Sequence, residues 1–228
     1  MTHHLLLASS NVNVNISGLK SPSTSVLIIV ALTVLAVAPS VLVLMTAFPR
    51  ILIVLSLTRN ALGTQSVPPN QILAGLALIL TLFVMAPVFT AVDHVAIQPY
   101  EHGTVSATQA IALGEVPVKE WMLKQTNTSE LILFTSYRHE DARHPESLPL
   151  TTVIPAFVLS EIRAAFLIGF MIFIPFMIID LVVSAVMMSM GMYMLPPTLI
   201  ALPFKILLFV LVNGWALVVH SLLLSFNQ

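Results

Sequence analysis

The chain has 228 residues, 57% of them hydrophobic and only 8% charged, with a formal net charge of -1. Soluble domains carry about 25% charged residues, so this composition excludes an ordinary globular protein and predicts an all-α, polytopic, membrane-type one. Cysteine is absent, which excludes disulfides and thiol chemistry, and no basic tract invites nucleic acid or a polybasic lipid contact.

Residues 1–25 are polar and mixed and predict a flexible N-terminal tail. The apolar piece at 5–8 is shorter than the roughly 7–15 residues of a secretory signal core. Residues 26–57 form the first long apolar run, with Arg50 its only charge and Pro39 and Pro49 within it. As one straight helix it would measure about 48 Å against a hydrocarbon core of about 30 Å. It therefore predicts a spanning helix and then a second, bent segment. A polar link at 58–71 follows, marked as a turn by Gly63 and Pro68-Pro69. Arg50 and Arg59 beside it predict that this link is cytoplasmic. Residues 72–92 hold no charge and complete the first hydrophobic helical pair, 26–92.

Residues 93–152 hold 12 of the chain's 19 charged residues. They predict a charged helical insert on the extracytoplasmic side, with a short amphipathic helix starting at Pro117, a second helix at 129–137 and a loop at 138–149. Residues 153–195 are too long for one simple span and are punctuated by Pro155 and Pro175. Residues 199–226 read as the returning arm, so 153–228 predicts a C-terminal hairpin. About four long, proline-kinked hydrophobic helices result.

The tip of that hairpin, 187–197, reads MMSMGMYMLPP and carries five of the chain's 11 methionines. Methionine is unbranched and polarizable and repacks around changing neighbours. Two readings stand: a Met-rich helix end packed on other helices, or a soft apolar constriction that seals a pore and yields to cargo. Glu161, Arg163, Asp180 and Lys205 lie in otherwise apolar helices, where a charge at mid-membrane costs at least about 2.5–3.5 kcal/mol unless it meets a partner or water. Asp180 and Lys205, on opposite arms of the hairpin, are placed to meet, within one chain or between copies. Glu161 lies about five helical turns from Asp180 and should serve another contact. These charges fit static pairing or a proton path. The sequence holds no phosphate-binding loop, zinc-protease, nucleophile-elbow or dinucleotide motif. His139 and His144 sit in a charged loop that reads as solvated, so neither an enzyme, a cofactor nor a metal site is expected.

Seven stretches then carry a resemblance. PAFVLSEIRAAFLIGF at 155–170 and IPFMIIDLVV at 174–183 resemble the two signatures of the FliP family of flagellar export-gate proteins. AFPRI at 47–51, RNALGT at 59–64 and PPNQ at 68–71 are similar to its N-terminal pattern, LPFK at 202–205 and NGW at 213–215 to its C-terminal one. The resemblance implies a pore-forming subunit: a ring of several copies, five by family likeness, joined by FliQ-like and FliR-like subunits. It implies passage of unfolded flagellar subunits, with the assembled helices lying largely above the membrane plane. It implies a place in the inner membrane at the flagellar basal body. It also implies a gasket around Met192, Tyr193 and Met194, within a Met-rich loop that includes Met187, Met188 and Met190. The family often has methionine where Tyr193 stands, which predicts a stiffer seal with a hydroxyl. Glu161, Asp180 and Lys205 match positions tied to ring assembly. An ion- or proton-coupled transporter using Glu161 and Asp180 is the alternative, although no internal repeat supports it.

Overall fold

The computed structural model describes residues 24–64, 66–192 and 194–226. The expected tail therefore lies largely outside the described residues, as does Tyr193. The described chain is helical throughout, with two compact units, one up to Val41 and one from Leu42 onward. The first is formed by most of helix α1 (Thr24–Leu44), apolar and uncharged, which runs on through Pro39.

In the second unit, α2 (Phe48–Ala61) starts just after Met45-Thr46-Ala47, with Pro49 in its first turn. A proline there forfeits no helical hydrogen bond. The first long run thus divides at Pro49, as expected, and not at Pro39. α3 (Asn70–Val92) continues through a π-helical stretch, Asp93–Ile97, and α4 (Gln98–Glu101), a continuous 32 residues.

The insert folds differently from its sequence expectation. α5 (Ala107–Gln125) begins ten residues before Pro117, which sits inside it. Ser106 and Gln109 explain the start, because they form a reciprocal capping box, Ser106 Oγ accepting from the Gln109 amide and Gln109 Oε1 from the Ser106 amide at 2.9 Å. Two of the free donors of the first turn are satisfied that way. α6 (Thr128–Arg138) matches the second expected helix, N-capped by Asn127 and ended by His139 in the left-handed region.

α7 (Leu150–Ser189) is a single helix of 40 residues, about 60 Å long at 1.5 Å per residue and twice the depth of a hydrocarbon core. Pro155 and Pro175 lie inside it and do not end it, which corrects the expected breaks. The returning arm, by contrast, is two helices, α8 (Pro197–Leu211) and α9 (Gly214–Leu224), bent by 64°. Asn213 adopts φ 52°, ψ 51° between them, a conformation Asn tolerates better than most residues. Gly214 is buried, and a Cβ there would strike the Phe209 ring. Among the described residues, α3–α4 and α7 are long and apolar enough to cross a membrane, and α8–α9 makes a third if the bent pair counts as one span. The count is thus lower than the four expected.

Two apolar cores organise the second unit. One joins α2, α3, α7, α8 and α9 around Ile51, Leu55, Leu73, Phe176, Phe209 and Leu222. The other joins the insert to the start of α7 around Met122, Leu131, Val153 and Phe157. Trp121 packs against both, 5.2 Å edge-on to Phe157 and 6.5 Å from Phe226.

Candidate pore collar and buried charge pairs

The methionine tip is built by glycine rather than by proline. α7 stops in a helix-terminating motif in which the Met192 amide donates to Met187 O and the Gly191 amide to Met188 O, both at 3.1 Å. That pattern requires a left-handed residue after the cap, and Gly191 has φ 74°. The helix therefore ends before Pro196-Pro197 is reached, and those prolines instead start α8.

The five methionines divide by face. Met187 is buried, whereas Met188 and Met190 are exposed and Met194 is 98% exposed. Met187, Met190 and Met192 line an apolar groove of about 560 Å³ between α7 and α8, with Val182, Val186 and Phe204. The tip is thus a thioether-rich surface that the described residues leave uncovered.

The charges resolve into three pairs. Lys205 Nζ donates to Asp180 Oδ2 at 2.6 Å and to Ala61 O at 3.4 Å, so one buried ammonium ties α8 to α7 and to the end of α2. Ala61 is the last residue of α2, where a cation complements the helix dipole. The pair expected from the hairpin thus forms within one chain. Oδ1 of Asp180 is buried and has no hydrogen-bond partner among the described residues.

Glu161 has the separate contact its position required. It is fully buried and receives Arg50 Nε at 3.0 Å and Arg50 Nη2. Arg50 Nη1 donates to Ser225 O at 2.9 Å and Ser225 Oγ at 3.1 Å, and Nη2 to Gln125 Oε1 at 3.2 Å. All five guanidinium donors are thereby used. The Phe226 ring lies 4.1 Å from the Arg50 guanidinium carbon, and Gln125 Nε2 donates to Phe226 O at 3.2 Å. α2, α5, α7 and the end of α9 all converge on this one cation. Arg50 therefore lies among packed helices, 3% exposed, and not in the polar link itself.

Arg163 stands at the border of the insert, exposed, with Nη1 2.8 Å from Glu130 and 3.1 Å from Ser129 Oγ. The Ser129 hydroxyl and then the Arg163 guanidinium hold the Glu130 carboxyl below its ordinary range. Composition pointed to Glu161, Arg163, Asp180 and Lys205, but not to Gln125, Ser225 or Phe226. The one available signal was Arg50 itself, a lone charge in an apolar run, which demands a partner.

Residues 31–222 match the model of the FliP family. The chain is 56% identical over 207 residues to the flagellar biosynthetic protein FliP of Bacillus subtilis, covering 90% of this chain and 93% of that one. It is 51% identical over 211 residues to the protein of that name from Pectobacterium carotovorum, covering 92% and 82%. With the one from Aquifex aeolicus it shares 44% over 206 residues, covering 89% and 86%.

Proposed function

The chain belongs to the FliP family of flagellar biosynthetic proteins, a membrane-associated component of flagellar export, and we propose that it is a pore-forming subunit of the export gate. Several copies form a ring with FliQ-like and FliR-like subunits in the bacterial inner membrane at the base of the flagellum. Unfolded flagellar subunits pass through the ring, and this chain performs no chemistry of its own. Met187, Met188, Met190, Met192, Tyr193 and Met194 form the collar that seals the pore. Glu161, Arg163, Asp180 and Lys205 hold the helices that neighbouring copies pack against. The insert, 93–152, lies on the extracytoplasmic side of the hydrophobic pair 26–92 and the hairpin 153–228.

The observation that carries this reading is the uncovered methionine tip, an apolar rim with Met194 98% exposed. An apolar constriction excludes water and ions when narrow, and methionine accommodates an unfolded chain of any sequence. The long apolar faces of α3 and α7, with Phe83 and Leu181 exposed, are what sister copies and partner helices would cover. The transporter alternative needs carboxylates free to load and release an ion. Both candidates, Glu161 and Asp180, already hold a cation from their own chain.

Cells that lack this chain but keep the other export genes should retain rod, hook and filament subunits inside, and restoring the chain should restore secretion. Continued secretion without it, or ion conduction by the purified chain alone in vesicles, contradicts the proposal.

A further inference from the structure

The hairpin tip concentrates one chemistry. No charged residue lies between Asp180 and Lys205, and those two pair with each other. The chain holds no cysteine, so all of its side-chain sulfur is thioether. Four of the five tip methionines, Met188, Met190, Met192 and Met194, are exposed, while Met187 is buried. Away from the tip Met45, Met85 and Met122 are buried too. Met177 is exposed, but it lies with Leu181 on the α7 face that sister copies and partner helices would cover. A side chain that lines a channel differs from one on such a face. It meets solvent at the mouths of the seal, so small solutes still reach it in the assembled gate.

That position makes the sulfur consequential. An apolar constriction holds its barrier by keeping water out. Oxidation of methionine to the sulfoxide turns a flexible apolar side chain into a polar, chiral one. The added oxygen is a hydrogen-bond acceptor. The groove beside the tip, with Met187, Val186, Ile200 and Phe204 in its lining, offers it no side-chain donor from those residues. Water is the partner such an oxygen would recruit, into the one place where the seal requires dryness.

We propose that Met188, Met190, Met192 and Met194 form an oxidation site for small hydroperoxides, and that their conversion to sulfoxides wets the collar and breaks the seal. The proposal rests on the collar reading given above. In the step, a sulfur lone pair attacks one peroxide oxygen, and the S–O bond forms as the O–O bond breaks. The departing hydroxide takes the remaining proton and leaves as water. Sulfur loses two electrons, and the peroxide gains them.

Membranes from cells expressing the whole gate, treated with hydrogen peroxide, test it by peptide mass mapping and by uptake of an otherwise impermeant dye. Sulfoxide should form at the four tip methionines before it forms at Met85, Met122 or Met177. Dye leak should rise in step, toward the level of the untreated Met192→Ala, Met194→Ala variant. With Met188→Leu, Met190→Leu, Met192→Leu and Met194→Leu combined, peroxide should leave leak at its pre-treatment value. Tip methionines that react no faster than Met85 and Met122, or a rise in leak that persists in the leucine variant, would overturn the site. Leak in the double alanine variant without leak on oxidation defeats the oxidation site alone. An oxidised tip with no leak in either preparation defeats the collar reading, and the site with it.

Discussion

Arg50→Ala should cost about 3–5 kcal/mol, because it leaves the buried Glu161 carboxyl without its partner. Glu161 is fully buried, and Arg50 is only 3% exposed. A loss of that size consumes much of the roughly 5–15 kcal/mol that holds a domain folded. Arg50 also satisfies Gln125 Oε1, Ser225 Oγ and the Ser225 carbonyl, so the damage should spread to the end of α9. Arg50→Lys should rescue little, since a single ammonium cannot reproduce a planar fork of five donors aimed at three residues. Replacing both charges, as Arg50→Met with Glu161→Met, should recover part of the loss by removing the stranded carboxylate, but not all, because the Ser225 carbonyl stays unsatisfied. Protease resistance and thermal unfolding in detergent give the measurement. Single variants as stable as the parent would mean that the pair is not closed to water in the folded chain.

The second large effect concerns the seal. Met192→Ala with Met194→Ala removes two long side chains from the hairpin tip, one of them almost wholly exposed. In cells that still assemble the gate, small-molecule leak should rise well above the parental background. Met192→Leu with Met194→Leu should keep the seal, because a volume-conserving apolar swap costs less than about 1.5 kcal/mol. The leucines are branched and stiffer, so export through the closed collar should slow while leak stays low. Leak measured by uptake of an otherwise impermeant dye separates these outcomes. An unchanged leak in the double alanine variant would remove these two side chains from the barrier.

Much of this arrangement was legible in residue order, and the parts that were not have identifiable reasons. Apolar length alone located α3 and the body of α7, because an uncharged run of that extent has few other uses. The Asp180–Lys205 contact was legible because a hairpin brings its arms together in register. Arg50 with Glu161 was not, since 111 residues separate them and periodicity says nothing about which distant helices touch. Prolines misled in two directions. Pro117 suggested a start that the Ser106–Gln109 box had already made upstream, and Pro155 and Pro175 suggested breaks that α7 runs through. In a long helix packed on neighbours, a missing hydrogen bond bends more often than it ends the element. The true breaks were written in smaller letters. Gly191 ends α7, and Asn213-Gly214, a dipeptide that marks turns, divides the returning arm.

The absence of cysteine gives a clean background for the most direct test of the ring and its collar. Met194→Cys places one thiol at the exposed tip, and mild oxidation of membranes from cells expressing the whole gate should yield a disulfide-linked dimer as neighbouring tips converge on the axis. A band that stays monomeric, while the same thiol reacts readily with a lipid-soluble reagent, would place the collar against lipid and contradict a shared pore.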